Sequence, residues 1–388
     1  MTAAVSLDPD SMLEEARRLA EGLSDFGDDS FRPGLARACE ALEREAKLSD
    51  TGRYLFRQKF VGQLVNRLRI EDYFKRHPEI AQEQLAPPVV IVGLPRTGTT
   101  KLHRLLACDP RFYWMAFWES YYPVPFPGET LERPEARIAK AHADVDLMVQ
   151  AMPHLNAIHP MNADLADEEF MLMEHSFLCA LNAYADVPGY MDWLDRQDQT
   201  PPYRFLQRAM QFLQWQKRKR GIVAERWVLK APHHLLRMDT LLRVFPGARV
   251  IQTHRDPVQS IPSIASFIHT LWGIYSDRAD PVAAGRSWND VMKRALEHTM
   301  RLREQLPPDR FLDVRFKDTV QQPLQVARQV YAFLGLPMTS ELETRMQSWL
   351  AEDEKTRHGK HDYPPEKFGL SEEQLQRDFA EYRKKYIL

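Results

Sequence analysis

The spacing of hydrophobic residues divides the chain into a helical N-terminal part and a part in which strands alternate with helices. In the first 85 residues, apolar positions recur every three or four residues, which is the period of an amphipathic helix. One such stripe comprises Met12, Ala16, Leu19, Ala20 and Leu23, and a second comprises Phe60, Leu64, Leu68 and Ile70. Pro87 and Pro88 end the pattern, because proline disfavours helix at its own position and at the preceding one. Residues 1–85 are therefore predicted to form a helical region.

Four short runs of apolar, mostly β-branched residues follow, and each is typical of a strand that is buried on both faces. They are residues 89–92, 227–229, 248–253 and 311–314. Helical segments lie beside these runs, so the pattern predicts an α/β fold with a parallel sheet flanked by helices over residues 86–388. The segment 111–225 is too long for a simple crossover between two strands. It is rich in aromatic residues and methionine, and is predicted to be a helical insertion that shapes a substrate pocket.

Composition and charge narrow the classes of function. The 388 residues are 44% hydrophobic and 27% charged, as in ordinary globular proteins, and the formal net charge is −2. This overall charge does not favour a nucleic-acid partner, so any anion site must be a local arrangement of charges. The first residues lack the basic and apolar pattern of a signal peptide, and no run is long enough for a membrane span, so a cytoplasmic protein is predicted. The three cysteines form no disulfide or metal-binding pattern.

The most informative segment, residues 93–100, reads Gly-Leu-Pro-Arg-Thr-Gly-Thr-Thr and directly follows the first predicted strand. A strand, a glycine-containing turn and a helix bring free backbone N–H groups together and form an anion cradle. The two glycines have the spacing of a Walker A loop, but Thr99 and Thr100 replace its Lys-Ser/Thr pair. The missing lysine argues against a P-loop kinase or nucleotidase that cleaves a triphosphate with Mg²⁺. The alternative is a turn that uses its proline, glycines and threonines only for backbone geometry and binds no anion.

Two motifs resemble those of sulfotransferases that use 3′-phosphoadenosine 5′-phosphosulfate (PAPS). The segment 95–100 resembles their 5′-phosphosulfate loop, in the Pro-Arg-Ser/Thr-Gly form of the bacterial and tyrosylprotein branches. Arg255-Asp256-Pro257, at the end of a predicted strand, resembles their 3′-phosphate site together with Ser263, although Ser260 and Ser266 are neighbouring alternatives. An arginine suits this role because its guanidinium is a permanently charged, bidentate clamp.

The resemblance extends from residue 53 to about residue 382 and implies a P-loop-type sheet, PAPS as the sulfonate donor, adenosine 3′,5′-bisphosphate as the product, and no metal. Its implied cofactor ligands are Pro95, Arg96, Thr97, Gly98, Thr99, Thr100, Arg255 and Ser263. Arg357 and Lys360 resemble the basic segment that closes over the 3′-phosphate, with a solvated charged loop as the alternative.

Sulfonate transfer needs an oriented sulfonate, a neutralised leaving phosphate and a proton acceptor for the attacking hydroxyl. Lys230 follows the second strand and is expected at the carboxyl edge of the sheet, where the resemblance implies contact with the leaving oxygen. Glu119, 23 residues after Arg96, resembles the catalytic glutamate of the tyrosylprotein branch; among aromatic neighbours, desolvation is expected to raise its pKa. The rival proton acceptors are His233 and His234, one of which is also expected to cap a helix or pack in the core.

The predicted insertion is dense in other polar and aromatic side chains. They are His154, His159, Glu168, Glu169, Glu174, His175, Tyr184, Tyr190 and Trp193. Because no metal-binding spacing occurs among them, they are predicted to lie on solvated helix faces and pocket walls. Phe267, Trp272 and Tyr275 complete either an apolar acceptor pocket or part of the core.

The predicted function is transfer of a sulfonate from PAPS to a hydroxyl of a small, apolar acceptor. A P-loop kinase or nucleotidase and a non-catalytic nucleotide-binding protein remain the alternatives. The sequence predicts neither a nucleic-acid partner nor a membrane span, and it leaves homo-oligomerisation open.

Overall fold

The computed structural model describes residues 5–151, 161–355 and 363–388. At its centre, five strands form a parallel sheet in the order β2-β3-β1-β4-β5. The strands are β1 (Val89–Gly93), β2 (Phe112–Tyr113), β3 (Arg226–Lys230), β4 (Arg249–His254) and β5 (Phe311–Arg315). The predicted α/β class is confirmed, and four strands coincide with the predicted runs. β2 escaped prediction because a two-residue edge strand has no hydrophobic period to read.

The central position of β1 in the sheet explains why its residues are apolar throughout. Val90 and Val92 belong to one hydrophobic core and Val89 and Ile91 to another, on opposite faces of the sheet. Successive side chains of a strand point to opposite faces, so a strand that is covered on both sides needs apolar residues at every position. In register, Ile91 of β1 pairs with Lys230 of β3, which brings the ends of these two strands together.

Helices cover both faces of the sheet. In chain order they are α1 (Pro9–Leu19), α2 (Phe31–Arg44), α3 (Asp50–Arg76), α4 (Thr99–Leu106), α5 (Phe117–Tyr121), α6 (Glu135–Ala151), α7 (Phe170–Met173), α8 (Pro188–Leu194), α9 (Thr200–Lys219), α10 (Met238–Val244), α11 (Pro257–Tyr275), α12 (Pro281–Arg303), α13 (Phe316–Gln321), α14 (Pro323–Leu334), α15 (Ser340–Lys355), α16 (Glu372–Asp378) and α17 (Ala380–Tyr386). No helix among the described residues has the length and apolar character needed to cross a membrane.

Local sequence sets the starts of the two helices that matter most for the site. At α3, the Ser49 hydroxyl accepts a hydrogen bond from the Gly52 backbone N–H at 3.0 Å. At α11, the Asp256 carboxylate accepts from the Val258 N–H at 3.1 Å, and Pro257 occupies the first helical turn, where its missing N–H costs nothing. These capping bonds place the beginning of α11 directly after Arg255.

The N-terminal helices share a hydrophobic core with part of the predicted insertion. Apolar residues from 7 to 68 pack with residues from 177 to 194 in one cluster. The helix α3 also approaches α11 closely, since a Cβ atom at Gly52 would lie 1.9 Å from the Tyr275 carbonyl oxygen. Only glycine permits this contact. Leu19, predicted on the first apolar stripe, is instead 42% exposed and belongs to the lining of the cavity described below.

Candidate active site

The loop between β1 and α4 has the backbone geometry of an anion cradle. Arg96 and Gly98 both adopt left-handed conformations, with φ of 70° and 84°, and Gly98 caps α4. A left-handed arginine is uncommon and is found where a turn must aim successive N–H groups at one point. The chain enters this turn at Gly93, where a Cβ atom would lie 2.2 Å from Oγ1 of Thr253. The loop is thus tightly held against β4.

The threonines of the loop have different surroundings. Thr97 is fully buried; its hydroxyl donates to the Leu94 carbonyl at 2.6 Å and lies 2.6 Å from Oγ1 of Thr253. Its side chain therefore fastens the loop to β4, and Thr97 is not among the described residues that line the cavity. The other predicted loop ligands do line it: Pro95, Arg96, Gly98, Thr99 and Thr100.

Arg255, at the end of β4, lies against the loop. Its Nη1 donates to the Arg96 carbonyl at 2.8 Å, and its guanidinium carbon lies 4.4 Å from the centre of the Phe316 ring. Burial lowers the pKa of Arg255, and the nearby Arg96 charge lowers it further. Two cations held together in a partly buried place favour a bound anion, because an anion relieves both their repulsion and their desolvation. This pair is the electrostatic part of the cradle.

The structure does not place the other three predicted ligands of the 3′-phosphate in the cavity wall. Ser263 is 5% exposed and is not among the described residues that line the cavity. Arg357 and Lys360, like His154 and His159 of the insertion, lie outside the described residues.

A cavity of about 1630 Å³ extends from this cradle into the helical part of the molecule. Much of its wall is apolar, most densely on α11, with further apolar residues from α3 and from residues 161–171. Representative apolar lining residues are Leu55, Val65, Met161, Phe170, Ile264, Phe267, Leu271 and Ile274. Phe267 and Tyr275 of the predicted aromatic group line the cavity, whereas Trp272 is 2% exposed and packs in the core.

Lys230 and Glu168 form an ion pair at the carboxyl edge of the sheet. Lys230, fully buried at the end of β3, donates from Nζ to Oε1 of Glu168 at 2.7 Å. Glu168 lines the cavity, and its Oε2 makes no hydrogen bond with any described residue. Burial raises the pKa of Glu168 against the opposing charge of Lys230, and the neighbouring carboxylate of Asp167 raises it further. The cavity thus contains a carboxylate with a raised pKa and one oxygen available to a ligand.

The two adjacent histidines have separate environments. His234 is fully buried; its Nε2 lies 2.6 Å from Oε1 of Glu169 and its Nδ1 lies 2.9 Å from the Tyr203 hydroxyl. It belongs to a core hydrogen-bond network and is not among the described residues that line the cavity. His233 does line the cavity, and burial together with the His234 and Arg237 charges lowers its pKa to about 3, so its imidazole is neutral.

The expectation that Glu119 has a raised pKa is wrong. Lys217 donates to its Oε2 at 2.6 Å and Arg220 to its Oε1 at 2.8 Å, in a site where the carboxylate is 1% exposed. Burial alone would raise the pKa of Glu119, but the two charges and their hydrogen bonds outweigh it and hold the pKa below its usual value. Glu119 is not among the described residues that line the cavity. Its nearest cations are far along the chain, so the sequence did not reveal them.

Replacing Glu119 by glutamine is expected to destabilise the protein by about 3 kcal/mol, because two buried cations lose their counter-charge. Equilibrium unfolding in urea measures this loss. Turnover of the folded variant is expected to stay within about twofold of the native value. A loss of turnover without a loss of stability would restore Glu119 as the proton acceptor.

Glu168 is the residue whose importance the sequence pattern did not single out. Glu168 and Glu169 were predicted to lie on solvated helix faces and pocket walls, but their partners lie some 60 positions later in β3 and beyond, in contacts that only folding creates. Within the described part of the chain, no group of three or more histidine, cysteine or acidic side chains is arranged to hold a metal ion.

Comparisons with known proteins agree with this geometry. The model of the sulfotransferase family matches residues 87–340, about two thirds of the chain. The omega-hydroxy-beta-dihydromenaquinone-9 sulfotransferase Stf3 of Mycobacterium bovis is 28% identical over 281 residues, which cover 69% of this chain and 67% of that protein. The crystal structure of sulfotransferase STF9 from Mycobacterium avium superposes with a TM-score of 0.87 at 27% identity, covering 100% of this chain and 98% of that one.

A second solved structure, sulfotransferase STF1 from Mycobacterium tuberculosis H37Rv, has a TM-score of 0.83 and 31% identity, and covers 97% of this chain and 99% of that one. Since the similarity extends over nearly the whole length, it includes the helical parts that form the cavity as well as the sheet. The chain belongs to the sulfotransferase family and is a transferase that moves a sulfonate group.

Proposed function

We propose that this enzyme transfers the sulfonate of PAPS to a hydroxyl of an apolar, lipid-like small molecule. The observation that carries the proposal is the continuity of the cavity, which joins the cationic cradle to walls of aliphatic and aromatic side chains. Its volume of about 1630 Å³ exceeds the roughly 300–1,000 Å³ of a site for one small ligand, as a site for a donor and an acceptor together requires.

The residues of the cradle suit a donor with two separate anionic groups. Backbone N–H groups of the loop, with Thr99 and Thr100 at the start of α4, would hold the 5′-phosphosulfate. Arg255 would hold the 3′-phosphate; it lies close enough to the loop to bond the Arg96 carbonyl, yet its guanidinium is still part of the cavity wall. When bound, PAPS supplies the sulfonate and leaves as adenosine 3′,5′-bisphosphate.

Two observations support an apolar acceptor. The cavity wall contributed by α11 is mainly hydrophobic, so it favours a ligand that brings hydrocarbon surface out of water. The named activity of the relative Stf3 is sulfonation of a hydroxylated menaquinone derivative, which is itself a lipid. A hydroxylated lipid or a similar alcohol therefore fits both the walls and the family.

Glu168 is the proton acceptor in this proposal. Its Oε1 is held by Lys230, so its Oε2 is left to take the proton of the acceptor hydroxyl as that oxygen attacks sulfur and the bond from sulfur to the leaving phosphate breaks. A carboxylate with a raised pKa serves this role near neutral pH better than one with a lowered pKa. Lys230 is a positioning residue here, since its ammonium contacts the carboxylate of Glu168.

Calorimetric titration tests the donor assignment. Adenosine 3′,5′-bisphosphate is expected to bind at least about 100-fold more tightly than its isomer ADP, because the two differ only in where the second phosphate lies and a misplaced charge leaves Arg255 unpaired. ATP with Mg²⁺ serves as a second control. Tight binding of ATP with Mg²⁺ and indifference to the bisphosphate would contradict the proposal and favour a kinase.

Turnover tests the acceptor assignment. With PAPS as donor, mass spectrometry is expected to detect sulfate esters of long-chain and polycyclic alcohols, with kcat/KM rising as hydrocarbon is added because each buried methylene contributes about 0.8 kcal/mol. Equal rates with short, polar alcohols would contradict an apolar acceptor.

A further inference from the structure

The helical part of the cavity contains a cluster of polar groups around one carboxylate, which we call the tyrosine–glutamate cluster. It consists of Lys59, Tyr121, Glu174, Tyr184 and Tyr275, all of which line the cavity. Their positions come from four separate parts of the chain: α3, α5, the 174–184 segment and the end of α11. The Glu174 carboxylate lies at its centre, and its charge contributes to the raised pKa of all three tyrosines, after the larger effect of burial.

The charges of the cluster cancel. Lys59 donates from Nζ to Oε1 of Glu174 at 3.0 Å and lies 3.5 Å from the centre of the Tyr184 ring. Gln63 adds a second hydrogen bond by donating to Oε2 of Glu174 at 3.3 Å. Burial raises the pKa of the Tyr121 hydroxyl well above its ordinary value, so it stays protonated. The cluster is therefore polar but has no net charge.

Two hydroxyls of the cluster have no hydrogen-bond partner among the described residues. Tyr121 and Tyr275 both line the cavity, and neither hydroxyl makes a hydrogen bond with any residue that the structure describes. The Tyr184 hydroxyl, in contrast, donates to Sδ of Met171. Both residues are partly exposed, and their side chains face the open cavity. A ligand that fills the cavity must replace the hydrogen bonds that water makes there, because a hydroxyl left unpaired costs about 1–3 kcal/mol.

We infer that the acceptor carries a second, uncharged oxygen, a hydroxyl or carbonyl group, which hydrogen-bonds to Tyr121 and Tyr275 while the first hydroxyl is sulfonated. The inference rests on the proposed function, because it takes the cavity to be the acceptor site. A neutral cluster favours a neutral group, since an added carboxylate or ammonium would be desolvated without a counter-charge. The preferred acceptors are thus bifunctional lipids in which hydrocarbon separates two oxygens.

Matched series of 1-alkanols and α,ω-alkanediols test this inference. With PAPS as donor, kcat/KM of the diol is expected to exceed that of the alcohol of equal length by about tenfold, beyond the twofold statistical advantage of two hydroxyls. The advantage is expected over a limited range of lengths, since the cluster and the Glu168 carboxylate are both fixed in place.

The variants Tyr121→Phe and Tyr275→Phe remove one oxygen each and keep the ring that packs the wall. Each is expected to lower the ratio of kcat/KM for the diol to kcat/KM for the alcohol to about the statistical value of two, and to leave the melting temperature unchanged. Tyr190→Phe is the matched control: its hydroxyl already donates to the Phe177 carbonyl at 2.7 Å, so this variant should lose stability and keep the diol advantage.

Equal kcat/KM for diol and alcohol at every length would overturn the inference. So would an equal loss of both activities in Tyr121→Phe, which would place that hydroxyl at the reacting oxygen. Calorimetric binding of the same compounds, with adenosine 3′,5′-bisphosphate present, separates the inference from the proposed function. Preferential diol binding without turnover would support the cluster and contradict the proposed function, whereas turnover without a diol preference would do the reverse.

Discussion

Replacing Glu168 by glutamine is expected to lower kcat by about 10²–10⁴-fold, because the acceptor hydroxyl loses the group that takes its proton. Glutamine keeps the size of the side chain and can still accept a hydrogen bond from Lys230, but it has no basic oxygen. Binding of adenosine 3′,5′-bisphosphate should change by less than about threefold, since the variant leaves the loop and Arg255 untouched. Steady-state kinetics and calorimetry measure the two quantities.

The pH dependence of kcat provides a second readout of Glu168. Its pKa is raised from the ordinary value of about 4.3, and the proton acceptor must be ionised to act. The rate is therefore expected to be full above the raised pKa and to fall about tenfold per pH unit below it, with a midpoint above 4.3. In the Glu168→Gln variant this acid limb should disappear.

The chain offers a matched control in Glu119. Both glutamates accept a hydrogen bond from a buried lysine, at 2.7 Å for the partly buried Glu168 and 2.6 Å for the fully buried Glu119. The two glutamine variants should thus both lose stability, and only the variant at residue 168 should lose turnover and its acid limb. If the Glu168→Gln enzyme keeps its turnover within tenfold of the native value while the His233→Ala enzyme is inactive, His233 is the proton acceptor instead.

Replacing Arg255 by alanine is expected to weaken binding of adenosine 3′,5′-bisphosphate by about 10²-fold or more, because a charged, partly buried partner of the 3′-phosphate is lost. AMP lacks that phosphate, and its affinity should fall by less than tenfold. The native preference for the bisphosphate over AMP is then expected to shrink accordingly, as measured by calorimetry.

The comparison with AMP separates two roles of Arg255. The side chain also donates to the Arg96 carbonyl, so its removal could loosen the loop as a whole. Equal losses for bisphosphate and AMP would show that the loop contact alone matters. Arg249→Ala is the control on the same strand: Arg249 lies at the opposite end of β4 and bonds the Asp309 carbonyl, so both affinities should stay at native values.

Much of the fold was predictable because its signals are local. A continuous β-branched run predicts a strand buried on both faces, and Gly98 with its flanking threonines predicts a tight turn into a helix. The positions of Arg96 and Arg255 followed from those elements, since the carboxyl ends of parallel strands meet at one edge of the sheet. The two-residue strand β2 and the core that the N-terminal helices share with residues 177–194 have no such signal in consecutive residues.

The candidate site was predictable only in part. For both Glu119 and Glu168, desolvation acts to raise the pKa of the carboxyl group. What separates them is the second cation: Glu119 contacts Lys217 and Arg220, whereas Glu168 contacts Lys230 alone. Since the charge on a carboxylate depends on the balance of desolvation and nearby cations, the sequence predicted a raised pKa for Glu119 and gave no reason to prefer Glu168.

By itself, the sequence determined the chemistry that is written in consecutive residues: a glycine-containing loop after a buried strand, an arginine at the end of another, and the α/β class that joins them. The tertiary structure decided which side chains face a ligand. It turned Thr97 and His234 inward, paired Glu119 with two cations, and brought Tyr121 and Tyr275 into one cavity. The physical reason is that backbone preferences act over a few residues, while burial and charge depend on every atom within several ångströms in space.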